Sequence, residues 1–266
     1  MLLGKHTPVV DNYQPALLYP IPRATGRAWI AGEGELPFYG FDLWHAYEIS
    51  WLDKNGRPAV RVGRVVVPAN SPNLVESKSF KLYLNSLNST RFDDEAQLIE
   101  TMRGDLSKLV GAEVELEFLG VADRSLQGAE LMGPCLDLLD TESRAGEPDP
   151  EMLLVSPGDI VEEHLHSHLL RSLCPVTGQP DWASVWVHYR GARLDHSSLL
   201  RYIIAYRRHQ EFHEQCVERI FCDLQARIAP EFLHTQAFYT RRGGLDINPF
   251  RSTDPTARPL PRLNRQ

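Results

Sequence analysis

The sequence predicts an α+β protein made of two similar halves, and three observations carry that expectation. Several segments alternate polar and apolar residues, the period of a half-buried strand, and Lys54-Asn55-Gly56-Arg57 lies between two of them as a hairpin signal. Other segments repeat apolar residues at helical spacing and come in consecutive pairs. One such pair then recurs farther along the chain. Ser77-Lys-Ser-Phe-Lys-Leu-Tyr-Leu aligns with Ser197-Ser-Leu-Leu-Arg-Tyr-Ile-Ile, and Phe92 with Phe212, both offset by 120 positions. Asp105-Leu106 aligns with Asp223-Leu224 at an offset of 118, which implies a short gap.

The elements follow in order. Residues 47–52 and 59–67 read as the strands flanking the hairpin turn. Phe80, Tyr83, Leu84 and Leu87 share one helical face, and Ile99, Met102 and Leu106 mark a second helix. Residues 113–121 alternate as a returning strand. In the second half, 182–189 reads in part as a strand. Leu199, Tyr202, Ile203 and Tyr206 repeat the first helix, while Cys216, Ile220 and Leu224 repeat the second. Residues 232–240 close that half. Two strands, two helices, two strands in each half give four-stranded antiparallel sheets with both helices on one face. The acidic stretch 140–150, ending in Pro148 and Pro150, reads as a linker between modules 1–139 and 151–266. The tail after Phe250, with four arginines and three prolines, is expected to be poorly ordered unless something pins it.

Composition narrows the function. The chain has 266 residues, 42% hydrophobic, enough for a sizeable core. Asp and Glu number 35 against 28 Lys and Arg, so the net charge is −7 and no stable nucleic-acid complex is expected. No stretch has the apolar length of a membrane span, and Met1-Leu-Leu-Gly-Lys5 does not read as a secretory signal. Four cysteines without a C-x-x-C pair suit thiols in a reducing cytoplasm. No glycine-rich dinucleotide or phosphate-loop fingerprint is present, so a nicotinamide cofactor would not be held by a Rossmann fold.

Four groups can carry chemistry. Cys174-Pro-Val-Thr-Gly-Gln-Pro-Asp181 is a Pro- and Gly-rich loop that can present a thiol and a carboxyl side by side; a buried inert cysteine and a turn aspartate are the plainer account. His213-Glu214 at a helix start can hold a polar ring, or simply be a solvated helix end. Glu76-Ser77-Lys78, with Lys81, can bind phosphate and a base edge, or cap an amphipathic helix. Arg241-Arg242-Gly243-Gly244 suits phosphate contacts or an ordinary surface turn. A rival metal reading rests on His164, His166 and His168, which face one side if the segment is a strand, and on His209 and His213 at helical i, i+4 spacing.

Taken together, four blocks resemble the NADPH-dependent 7-cyano-7-deazaguanine reductases, the nitrile reductases of queuosine biosynthesis, in their long two-module form. They are Glu76-Ser-Lys-Ser-Phe-Lys-Leu-Tyr83, Cys174-Pro-Val-Thr-Gly-Gln-Pro-Asp-Trp182, His213-Glu-Gln-Cys-Val-Glu-Arg219 and Tyr239-Thr-Arg-Arg-Gly-Gly-Leu-Asp-Ile-Asn-Pro249. Leu3-Gly-Lys5 and Phe41-Asp-Leu-Trp44 add to the likeness. The resemblance implies tandem tunnelling-fold modules, a cytoplasmic homodimer, and a metal-independent tRNA-modification enzyme that acts through a cysteine thioimidate. It implies Cys174 as nucleophile and Asp181 as proton donor. Val75, Glu76, Ser77, His213 and Glu214 would contact the deazapurine, and Ser77, Lys78, Arg242 and Gly243 the NADPH. A zinc hydrolase of the GTP cyclohydrolase type and a non-catalytic purine-binding module are the competing readings.

Overall fold

The computed structural model describes residues 10–30, 35–141 and 146–266; Leu3-Gly-Lys5 and part of the linker lie outside them. In chain order the elements are β1 (Pro20–Pro22), α1 (Arg23–Gly26), β2 (Tyr39–Leu52), β3 (Pro58–Pro68), β4 (Asn73–Val75), α2 (Ser77–Ser86), α3 (Glu95–Val110) and β5 (Glu115–Leu119). The second half continues with β6 (Val155–Leu173), β7 (Pro180–Leu194), α4 (His196–Ala205), α5 (His213–Ile228), β8 (Phe232–Tyr239) and β9 (Leu245–Ser252).

The predicted hairpin joins β2 to β3. Gly56 takes φ +82°, and the Asp53 carboxylate accepts from the backbone N–H groups of Asn55 and Arg57, so the turn closes on its own side chain. Seven strands form one sheet in the order β5-β3-β2-β9-β8-β7-β6, all antiparallel, and β1 pairs separately with β4. The first half therefore contributes three strands to the large sheet and the second contributes four. After β5 the chain leaves the sheet, and Leu136 N–H reaches across to the carbonyl of His166 on β6.

Both helix pairs cover one face. Trp44, Val65 and Val67 pack under α2 and α3 with Phe80, Met102 and Leu106, while Val185, Val187 and Ala237 pack under α4 and α5 with Leu199, Ile220 and Leu224. In α3 the buried row is Leu98, Met102, Leu106 and Val110, so Leu98 rather than Ile99 faces the core. The repeat is visible in the bonds. α2 and α4 each have 10 residues, and α3 and α5 each have 16. Tyr83 donates to Asp105 at 2.8 Å, and Tyr202 donates to Asp223 at 2.6 Å. Ser79 Oγ donates to the carbonyl of the N-cap Glu76, as Ser198 Oγ does to that of the N-cap Asp195, both at 2.7 Å. These caps place the true offset of the first helix at 119, one residue from the alignment read off identities.

Two expectations need correction. The tail after β9 is pinned: Arg262 donates to the Leu126 carbonyl at 2.6 Å and to the Tyr47 hydroxyl at 3.0 Å, and Leu263 packs beside Trp186, Phe238 and Phe250. His209 and His213 are not a helical pair. α5 begins at His213, and His209 sits before it, between the carboxylates of Glu147 and Glu211.

Where β2 meets β9, a charged cluster is buried between sheet and helix. Arg251, fully buried, pairs with Asp42 at 2.8 Å and Glu218 at 2.7 Å and donates to the Phe41 and Phe250 carbonyls. Arg23 adds a second contact to Asp42, and Arg27 one to Glu218. Replacing Arg251 with Met would leave two carboxylates buried with fewer donors. That should lower stability by about 3–5 kcal/mol in urea denaturation, since removing one partner of a buried pair strands the other's charge. A loss below about 1 kcal/mol, the range of an exposed pair, would contradict this account of the seam.

Candidate active site

A cavity of about 400 Å³ opens beside this seam, walled by both halves. From the first half come Val75 at the end of β4 and Glu76, Ser77, Lys78 and Lys81 at the start of α2. From the second come Cys174, Gln179 and Asp181 around the β6–β7 turn, His213 and Glu214 opening α5, and Arg242 and Gly243 between β8 and β9. Every residue that the resemblance assigns to catalysis, base or cofactor therefore lines one space, while Arg241 lies against Tyr47 and the histidines of β6 line other surfaces. The N-termini of α2 and α5 both border it, so two positive helix-dipole ends meet there.

The cysteine's position is set by its loop. Cys174 N–H donates to Gln179 O at 2.9 Å and Gly178 N–H to Cys174 O at 2.8 Å, with Gly178 at φ +67°, a conformation glycine adopts without a Cβ clash. Cys174 is half-buried at the cavity wall. Burial pushes the helix thiol of Cys222 up to about 12 and that of Cys216 higher still, which keeps both protonated and inert.

Asp181 opens β7 and is almost fully buried. One of its oxygens is bound by Arg242, the other lies 3.2 Å from His213 Nε2, and Arg242 also donates to Gln179 at 2.9 Å. Burial alone would raise the Asp181 carboxyl, but His213 and Arg242 outweigh it and hold it below the usual carboxylate range. The His213 ring is fixed by stacking on Tyr239, centroids 3.8 Å apart and planes 18° from parallel.

Glu214 is the opposite case. Its side chain is 3% exposed, and among the described residues it makes no ion pair. Burial, with the negative charge of Asp42 nearby, pushes its carboxyl up to about 7. Glu76 is different again: both its oxygens accept α2 backbone N–H groups, from Lys78 at 3.0 Å and Ser79 at 2.6 Å. Several cavity residues escaped the sequence reading, among them Gln179, visible only as part of the cysteine loop, and Phe212, visible only as the repeat partner of Phe92; neither type signals a site by itself.

Comparison with known proteins follows this geometry. Residues 9–118 match the family described as nitrile reductase, 7-cyano-7-deazaguanine-reductase N-term, and residues 180–257 match that described as QueF-like protein. The chain is 52% identical over 266 residues to the NADPH-dependent 7-cyano-7-deazaguanine reductase of Chromohalobacter salexigens, covering 99% of this chain and 96% of that one. The chain belongs to this family. Enzymes of the same name from Dechloromonas aromatica and Bordetella pertussis are 54% and 52% identical, over 97% of this chain and 92% and 94% of theirs. The α+β architecture with two recurring helix pairs is thus the family's fold in this chain, and the matched regions carry most of the cavity wall.

Glu214 yields a test on the ligand-free protein. A carboxyl raised from the ordinary 4.5 to about 7 adds stability below about pH 4.5, and that contribution is lost as pH rises through 7. Glu214→Gln should match the parent near pH 5 and exceed it at pH 8 by on the order of 3 kcal/mol in denaturant titrations. Parallel stability curves for the two proteins across that range would refute a raised Glu214.

Proposed function

We propose that this protein reduces the nitrile of 7-cyano-7-deazaguanine to the aminomethyl group with NADPH, in queuosine biosynthesis for tRNA modification. What carries the reading is Glu214, a buried carboxyl without an ion-pair partner among the described residues, opening on the same cavity as Cys174. A fused purine-like ring offers ring N–H and exocyclic amine donors that such a carboxylate can accept, with Val75, Glu76, Ser77 and His213 completing the contacts. Substrate donors favour the ionised form, so base binding should weaken as pH falls below about 7.

The residues divide the chemistry. Cys174 thiolate adds to the nitrile carbon, and the nitrogen takes a proton from Asp181, giving a thioimidate on the cysteine. Asp181 is held ionised in the free site, so its proton comes through His213, which touches its second oxygen. When Arg242 turns from Asp181 to a cofactor phosphate, the carboxyl loses a cation and protonates more easily. Two NADPH molecules in succession would supply the two hydrides that reduction of a nitrile to an amine needs, one before and one after the Cys174 thiolate departs. The groups present suit that cofactor: Lys78 and Arg242 are exposed cations at the rim beside Ser77, and Gly243 leaves room for a phosphate near Lys81. Enclosure between the two halves keeps water from the imine.

The same reading takes residues 1–139 and 151–266 as the two modules and 140–150 as their linker, in support of which the helix pairs recur with matching lengths. It also takes the protein as a cytoplasmic homodimer without a stable nucleic-acid partner, on the family resemblance and the net charge of −7. No helix among the described residues is long and apolar enough to cross a membrane.

Intact-mass measurement on the protein mixed with the nitrile alone should show a gain equal to the whole substrate, since addition expels nothing. Cys174→Ala should lose the gain yet still bind the base, and Cys216→Ala should keep it. An adduct that persists in Cys174→Ala, or none in the parent, overturns the mechanism. For the cofactor, Arg242→Ala should raise the Michaelis constant for NADPH about ten-fold or more, the loss of one charge-assisted contact. An unchanged constant would remove Arg242 from the cofactor site.

A further inference from the structure

The alternating histidines of β6 have no part in the cavity. His166 and His168 lie on the face of the sheet away from the helices, where His166 pairs in register with Trp186. Cys135, from the irregular chain after β5, comes up beside them. Among the described residues, Cys135, His166 and His168 each bring one potential ligand atom to within 4.8 Å of the others.

The trio is held in place rather than merely close. Leu136 N–H donates to the His166 carbonyl at 2.9 Å, and His166 N–H donates to the Pro134 carbonyl at 3.3 Å. Asp137 accepts from Ser167 Oγ at 2.7 Å and from His168 N–H at 3.1 Å. Gly133, at φ +81°, lets the chain come so close that a Cβ there would lie 1.9 Å from the His164 carbonyl oxygen. Residues 133–137 are thus laced along the edge of β6, and Cys135 with them.

Both rings are also oriented. His166 Nδ1 lies 3.3 Å from the Met132 carbonyl, which only accepts, so the proton sits on Nδ1 and the Nε2 lone pair is free. Ser184 Oγ, 2.7 Å from His168 Nδ1, holds the orientation of the second ring. Such outer contacts are what orient metal-binding imidazoles. His166 and His168 border a solvent-open cleft that also takes in Glu130, Ser184 and Arg265.

We propose that Cys135, His166 and His168 form a zinc site, with one thiolate and two imidazoles in three tetrahedral positions and water or an outside ligand in the fourth. Thiolate with imidazole is a donor set for Zn(II) rather than for Mg(II) or Ca(II). Tetrahedral zinc spaces such ligands about 3.3–3.8 Å apart, so the three atoms need close on one another by no more than about 1.5 Å. The site pins the long connection between β5 and β6 to the sheet. It is separate from the cavity, which lies on the helix side and about 20 Å farther along β6, taking six residues at strand rise.

Titration of the metal-free, full-length protein with Co(II) tests this. One equivalent should bind with a thiolate-to-cobalt charge-transfer band in the near ultraviolet, and Zn(II) should displace it and raise the melting temperature. Cys135→Ser should abolish the band, and His168→Ala should weaken binding at least ten-fold. Cys174→Ala should keep the band, and Cys135→Ser should keep full NADPH oxidation with the nitrile. No band in the parent, a band that survives Cys135→Ser, or one lost in Cys174→Ala would overturn the site. Loss of NADPH oxidation in Cys135→Ser would overturn its separation from the cavity.

Discussion

The ladder between β2 and β9 is the contact on which the rest depends. Eight register pairs, from Tyr39–Ser252 to Ala46–Leu245, join the first half's sheet to the second's. Side chains alternate along a strand, so a slip of one residue would turn Arg251 from the helix side to the far side. Asp42 and Glu218 would then be buried without their shared cation. The backbone ladder and the charged cluster therefore specify the same register, one by direction and the other by cost. That register in turn sets α2 of one half against α5 of the other, and so makes the cavity.

Within the cavity, environment separates carboxyls that are chemically alike. Asp181 is buried but flanked by His213 and Arg242, so the charged form prevails. Glu214 is buried beside another acid, so the neutral form prevails until about pH 7. Glu76 is occupied with the first turn of α2. Dividing roles among acids by their surroundings is a general route to having a proton held and a proton accepted in one site. Stacking on Tyr239 fixes the His213 ring that lies 3.2 Å from Asp181.

What was legible in the sequence was what is local. Helical faces such as Phe80, Tyr83 and Leu84, the Asn55-Gly56 turn and the recurrence of paired helices all follow from neighbours in the chain. β9 was not legible as a strand. Leu245-Asp-Ile-Asn-Pro-Phe-Arg-Ser mixes Asp, Asn, Pro and Arg with apolar residues, yet every one of these positions is buried. Their partners are distant: Asp246 meets His45 and Tyr47, Asn248 meets Gln266, and Arg251 meets Asp42. No window along the chain contains that information. The full 19-residue length of β6 and the pinned tail were missed for the same reason. The site was legible as a set of blocks, but the grip of Arg242 on Asp181 and the isolation of Glu214 depend on the fold.

The duplicated scaffold offers two equivalent places for a site, and the candidate residues gather at one. The counterpart of the Cys174 loop is the β2–β3 turn, which carries Lys54-Asn55-Gly56 and no thiol. Where α5 opens on His213 and Glu214, α3 opens on Glu95 and Ala96; where α2 is capped by Glu76, α4 is capped by Asp195. Among the described residues the candidate site therefore occurs once, although its framework recurs. Because the two walls of that centre are encoded by different stretches of a single chain, a change in one wall is not copied into the other. The wall with Val75, Glu76 and Ser77 and the wall with Cys174, Asp181 and Glu214 are free to drift apart in sequence.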